Sequence, residues 1–402
     1  MTDNLTIIRP VPRWVRVWAI LTLLAAVVLL ILGGFVTSFR AGMADPVWPT
    51  EPWYLLDNYK LDAGYLIEHI HRIFGFLVGG LTIVLVVAAW RYEPNKLLRL
   101  FALAAVVFLV LAFGAFHGAM RESWETDKSF NPFARTTGIA SLVGAGSLLL
   151  ACGVVLFGRH PGRWARAAAG VALIFVMIQG LLGGLRVFLN ELVGTDLAAT
   201  HGVFAQVTFC VLVAVVIFAA PRRIGDPLPN SERSGLLWLT WGLVALLFVQ
   251  LIWAVIVRHQ GSPLAQRLHM LTAFVITGIA VWLAVRILNR PVVKARFGGL
   301  AFHLLGILAL QLLLGVEAYM GKFAAIGPEM YRPPMERTVT VSQASIRTGH
   351  QLVGTGLLAA AVALALRAGR RPLDENLPAV GTEVESVSSR NLQQSPAPAA
   401  VS

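Results

Sequence analysis

IEHIHRIFGFLVGGLTIVLVVAAW, residues 67–90, opens with an acid, two histidines and an arginine and then runs apolar to its end. A bilayer-spanning helix needs roughly 20 mostly apolar residues, and this stretch is such a helix with a polar head. Further segments of the same kind lie at 15–36, 98–118, 134–158, 165–187, 197–220, 235–257, 267–288, 297–320 and 347–367. Composition agrees. Of 402 residues, 57% are hydrophobic and 13% charged, with a mean hydropathy of +0.71, whereas soluble domains carry about a quarter charged residues. The chain reads as an all-α polytopic membrane protein with about ten transmembrane helices.

Orientation follows from the short loops, because Lys and Arg collect on the cytoplasmic side. Arg9, Arg13 and Arg16 precede the first segment. Alternate loops hold Arg91, Lys96 and Arg99, then Arg159, Arg163 and Arg166, then Arg222, Arg223 and Arg233, then Arg290, Lys294 and Arg296. Arg367, Arg370 and Arg371 follow the last segment, while the opposite loops hold Asp45, Glu51, Asp57 and Asp62, or Glu191 and Asp196. Both termini are expected in the cytoplasm, and a bacterial inner membrane, or an organelle membrane derived from one, fits. The net charge of +12 is then a matter of topology and contact with anionic lipid, and calls for no nucleic-acid partner. The first segment is too long for the core of a cleaved signal peptide and reads as a retained anchor. Cys152 and Cys210 both fall inside predicted helices, which leaves no outer disulfide and no cysteine metal motif. The polar stretch 371–402, rich in Ser, Pro, Ala and Glu, reads as a disordered cytoplasmic tail.

Four histidines, His71, His201, His269 and His350, stand near the outer start of an apolar segment. A weak internal repeat relates them. His71-Arg-Ile-Phe-Gly-Phe-Leu-Val-Gly-Gly80 aligns with His269-Met-Leu-Thr-Ala-Phe-Val-Ile-Thr-Gly278, and Gln179-Gly-Leu-Leu-Gly183 with Gln311-Leu-Leu-Leu-Gly315. His201 and His350 each open the next helix. This divides the chain into two pseudo-repeated four-helix bundles with an inserted helix pair. The first half covers 1–96 and 159–222, the insertion 97–158, and the second half 223–370. One histidine near a helix end is ordinarily a hydrated interfacial residue. Four at matched depth, paired by a repeat, read as ligands, since neutral imidazoles bind haem iron and facing helices can supply both axial positions. His117 and His259 also lie at outer ends but have no repeat partners; His160 and His303 lie toward the inner side. Glu68 stands three residues before His71, on the same helical face, and the matching position in the second half is Gln266. That asymmetry points to one reacting half and one cofactor-holding half. Arg72, Arg186 and Arg267, near outer ends, are candidates to pair with haem propionates, against the plainer reading of arginines that snorkel to headgroups.

These motifs resemble the haem A synthase family, the bacterial and mitochondrial membrane enzymes that oxidise haem O. The resemblance rests on Gly33-Gly34-x-Val36-Thr37-Ser38 leading to Ala41-Gly42-Met43 and Trp48-Pro49, on Glu68-x-x-His71-Arg72, on Gln179-Gly-x-Leu-Gly-Gly-Leu-Arg186, and on His201, His269 and His350. It spans roughly residues 30–360. It implies that His71 and His201 embrace haem O, that Glu68 serves catalysis, and that His269 and His350 ligate a haem b cofactor. The implied reaction turns the C8 methyl group of haem O into a formyl group, giving haem A for terminal oxidase assembly. Haem O synthase and a membrane electron acceptor are the implied protein partners, and a homo-oligomer stays open.

The chain departs from the family pattern in two respects. It has the extra segments within 97–158, where similar members have eight spans, and it lacks the outer cysteine pair of many members. Two rival readings carry less. A purely electron-transferring b-type cytochrome commonly places two histidines on one helix, whereas each helix here offers one. A transporter is expected to have broken helices with charges near the midplane, and these spans are largely unbroken.

Overall fold

A computed structural model describes residues 5–45, 62–126, 132–223, 228–321, 338–370 and 384–387. Trp48-Pro49, Glu51, Asp57 and nearly all of the 371–402 tail lie outside the described residues. The helices are α1 (Arg13–Ser38), α2 (Ala63–Trp90), α3 (Lys96–Thr126), α4 (Pro132–Phe157), α5 (Arg163–Val193), α6 (Asp196–Ala219), α7 (Asn230–Gln260), α8 (Pro263–Leu288), α9 (Pro291–Met320) and α10 (Val341–Gly369). Each is long and apolar enough to cross a membrane, and each matches one segment expected from the sequence, two of which, 134–158 and 197–220, run one residue past the helix end. The chain is a multi-pass integral membrane protein. Large apolar side chains such as Leu97, Leu142, Phe157, Phe274 and Leu313 point outward, a surface that water would not tolerate and lipid does.

Helices α1, α2, α5 and α6 close a ring in which each packs on the next, and α7, α8, α9 and α10 close a second. The rings meet where α10 touches α1 and α6, and where α6 touches α7. The inserted pair packs mainly on itself and lies against α2 and α5, outside the first ring. Lipid tails are as apolar as leucine, so small residues that let backbones approach must supply the contact. A Cβ at Gly144 in α4 would meet the Leu109 backbone of α3 at 2.9 Å, and a Cβ at Gly34 in α1 would meet Thr348 Cγ2 of α10 at 2.7 Å.

Three short strands, β1 (Leu5–Ile8), β2 (Arg222–Arg223) and β3 (Val384–Val387), pair antiparallel around β1. They bring the segments before α1, between α6 and α7, and after α10 to one end of the bundle. The histidines are at the other end. Three of the four helices that carry them start at a side-chain cap. Asp62 accepts from the Tyr65 N–H at 2.9 Å before α2, Ser262 accepts from the Ala265 N–H at 3.3 Å before α8, and Thr340 and Gln343 form a capping box on α10. Each such cap contributes about 1 kcal/mol. The observed helices begin before the apolar runs do. The histidines therefore sit one to three turns inside their helices, roughly 8–14 Å from the first residue at ~1.5 Å per residue.

Candidate functional site

In each ring the two histidine helices occupy diagonal places: α2 and α6 in the first, α8 and α10 in the second. Diagonal helices face each other across the bundle axis, so each ring turns a histidine pair toward its own centre. The His269 and His350 ring centres are 6.3 Å apart. Two imidazoles that share one first-row metal, at metal–nitrogen distances of ~2.0–2.1 Å, have their centres about 6 Å apart. In the first ring His71 and His201 are near enough to interact electrostatically, and Arg186 acts on both.

Small residues seat the rings. A Cβ at Gly33 would meet His71 Cε1 at 3.0 Å, one at Gly183 would meet His201 Cε1 at 3.4 Å, and one at Gly315 would meet His350 Cε1 at 3.0 Å. Three histidines also meet a glutamine of the preceding helix. Gln179 Nε2 lies 3.0 Å from His201 Nε2 and donates to the His201 carbonyl at 3.0 Å. Gln250 Nε2 lies 3.4 Å from His269 Nε2 and donates to the His269 carbonyl at 2.9 Å. Gln311 Nε2 lies 3.3 Å from His350 Nε2.

The acid predicted beside His71 is part of a buried network. Asp45, Glu68 and His69 are 1%, 4% and 1% exposed. Arg72 Nη2 donates to Glu68 Oε1 at 2.8 Å and to the Asp45 carbonyl at 2.8 Å, while the Asp45 N–H donates to Glu68 Oε2 at 2.8 Å. His69 Nδ1 lies 2.9 Å from Asp45 Oδ2, and the Tyr65 ring stacks on His69. Both oxygens of Glu68 thus have partners. Arg186 lies beside the group, its guanidinium packed over Gly42 where a Cβ would displace it, in the turn after Arg40 adopts a φ of 56°.

Of the three arginines expected near propionates, Arg72 and Arg186 are at the first histidine pair. Arg267 is exposed on α8 and makes no hydrogen bond or ion pair among the described residues. Arg258 of α7 is a further buried arginine at the same end. It reaches between the rings, donating to Gln351 Oε1 at 2.6 Å, Ser38 Oγ at 2.8 Å and the Gly34 carbonyl at 3.0 Å. All of these partners are neutral. His117 packs edge-on against Phe113 in the inserted pair, with ring centres 4.4 Å apart.

The donor set limits what could bind. Among the described residues no group of three or more His, Cys, Asp or Glu side chains could hold a bare metal ion. Two imidazoles across a bundle suit instead a metal whose other positions are already filled, as a porphyrin fills them. His71 Nδ1 and His350 Nδ1 are buried without a hydrogen bond, as are the side-chain oxygens of Gln179, Gln250 and Gln311. Polar atoms so placed are ordinarily satisfied, and a ligand between the helices is one way to satisfy them. The residues fit a haem in each ring. No protein-family model matches the chain, and neither a curated protein nor a solved structure does.

Missed in the sequence were Asp45 as the partner of Glu68 and His69, Arg258 between the rings, and Gln250. The signal for Gln250 was present. Gln250-Leu-Ile-Trp-Ala254 has the form of Gln179-Gly-Leu-Leu-Gly183 with alanine for the last glycine.

Proposed function

We propose that this chain is a haem A synthase that oxidises the C8 methyl group of haem O to a formyl group, with both termini in the cytoplasm of a bacterial inner membrane. The observation that carries the reading is the pair of diagonal histidine couples at one end of two like rings, with a buried carboxyl group, among the described residues, beside the first of them. His71 and His201 would hold the substrate, and His269 and His350 would hold haem b. Bound there, haem b would supply a one-electron carrier beside the reacting site.

The chain's own residues divide the remaining work. Arg72 and Arg186 lie at the first couple with guanidinium donors suited to carboxylates, which would orient the porphyrin by its propionates. Arg258, hydrogen-bonded only to neutral groups among the described residues, is suited to the same task between the rings. Glu68, held from two sides by Arg72 and the Asp45 N–H, would take a proton at Oε1 or Oε2 as the methyl group is oxidised. Its burial keeps bulk water from that exchange. Lipid, haem O, haem O synthase and a membrane electron acceptor are the partners this reading requires.

A b-type cytochrome that only transfers electrons is the second reading, and the complete engagement of the Glu68 oxygens favours it. One experiment separates the two. Haem is extracted and chromatographed from cells that make haem O, with and without this chain. Haem A that appears only with the chain supports the synthase; a chain that binds haem b and forms no haem A is a cytochrome.

A further inference from the structure

The four histidine helices are each preceded by a helix with the same five-residue register: Leu29-Leu-Ile-Leu-Gly33, Gln179-Gly-Leu-Leu-Gly183, Gln250-Leu-Ile-Trp-Ala254 and Gln311-Leu-Leu-Leu-Gly315. The last residue of each string is small. At Gly33, Gly183 and Gly315 it lies under the next helix's histidine ring. The first residue is glutamine in three strings, and in all three its amide meets the histidine. In the string that serves His71 it is Leu29.

The Gln250 carbonyl is 3.3 Å from His269 Nδ1. A carbonyl can only accept, so Nδ1 carries the proton and the ring lone pair is on Nε2. Gln250 Nε2 faces that lone pair while also holding the His269 carbonyl. The amide thus clasps the imidazole by its side chain and its main chain at once; Gln179 Nε2 lies 3.1 Å from His201 Nδ1 and 3.0 Å from Nε2 and donates to the His201 carbonyl, while Gln311 meets His350 at the ring, 3.3 Å from Nε2. Were a metal held at Nε2, the amide would leave the ring, and its bond to the histidine carbonyl would keep it at hand. His71 has no such clasp. The Leu29 backbone lies beside its ring, as the Gln311 backbone lies beside His350, so leucine takes the glutamine's place in space as well as in register; Nδ1 makes no hydrogen bond in either histidine, and what His71 lacks is the amide that His350 has at Nε2. Among the described residues no side chain hydrogen-bonds to the His71 ring.

We infer that Gln179, Gln250 and Gln311 are positioning residues that hold their histidines ready to ligate, and that Leu29 leaves His71 as the ligand that lets go. The inference rests on the proposed haem sites and goes beyond them. A cofactor couple clasped on both sides retains its haem. A substrate couple clasped on one side must release a product every cycle, and the break occurs at His71.

The test uses the full chain in detergent, loaded with haem b as the probe. Haem loss to an excess of an apo-globin scavenger is followed through the Soret band, and the reduction potential is recorded for each variant. Partners of metal-bound histidines typically change affinity by about 10–100-fold. Leu29→Gln is expected to slow the faster phase of loss by about tenfold, and Gln311→Leu to speed the slower phase by about 10–100-fold and shift the potential of that haem only. Leu29→Gln carries the test alone where Gln311→Leu does not fold. Two bound haems whose loss rates and potentials ignore both substitutions would overturn the inference and leave the haem sites standing. A chain that takes up no haem would overturn the proposed function itself.

Discussion

The two rings are built alike and finished differently. Each sets one histidine on each of two diagonal helices, at the same end, over helices with the same spacing of small residues. The second ring adds glutamine to both histidines and surrounds them with no carboxyl group in hydrogen-bond contact among the described residues. The first adds glutamine to one, and beside the other it buries Asp45, Glu68, His69 and Arg72 in mutual contact. A buried ion pair costs desolvation that its attraction repays only in part. A ring that merely held a cofactor would have no need of one. Among the described residues such a network stands beside His71 and beside no other of the four histidines, and the proposal that the first ring is the reacting one rests on it.

Removing ligands is the most severe way to break the comparison. His269→Ala combined with His350→Ala is expected to abolish haem b binding in the second ring, while His71→Ala leaves it; pyridine haemochrome content of the purified chain reads the difference. Equal losses from both would erase the distinction between the rings. Next in size is Glu68→Ala. Loss of a group that moves a proton in the reaction typically costs about 10²–10⁴-fold in rate, so haem A formation should nearly stop, while Gln266→Ala, at the matching position, leaves it intact.

Stability sharpens the contrast further. Arg72→Met removes the cation between two buried acids, and breaking a buried pair costs about 3–5 kcal/mol. Arg267→Met, at the exposed position, should cost under about 0.5 kcal/mol. Denaturant unfolding in detergent measures both, and equal values would mean that the acidic network does not hold the first ring. The smallest effect concerns the floor beneath the rings. Gly315→Ala places a methyl group at 3.0 Å from His350 Cε1, which the ring can relieve by a few tenths of an ångström. A small shift of the second ring's Soret band is expected with haem retained. Ala254→Gly should leave the spectrum unchanged, since that string already carries a methyl group.

The span count and the four histidines were legible in the sequence because both rest on one-dimensional signals. Long apolar runs are distinguishable whatever they pack against, and a polar ring inside one is conspicuous. Arg267, a candidate on the same signal, is exposed on α8. It stands at the right depth in its segment, yet depth says nothing about the direction a side chain takes. Gln250 was readable only by someone prepared to let alanine stand for glycine. Asp45 could not be paired with Glu68 in advance, because the turn through Arg40 and Gly42 carries it back over α2.

By itself, then, the sequence determined how many helices are long and apolar enough to cross, which histidines belong to which half, and that Glu68 beside His71 is answered by Gln266 in the second half. These follow from segment length, repeat and residue identity, none of which needs a partner helix. Only the tertiary structure decided which faces meet. It set the histidine helices diagonal in each ring, aimed the glutamines at three imidazoles and left Leu29 at the fourth, and carried Arg258 between the bundles. In helices apolar on nearly every side, amphipathic pattern cannot choose a face. Close packing of glycine, alanine and threonine against neighbouring helices makes that choice.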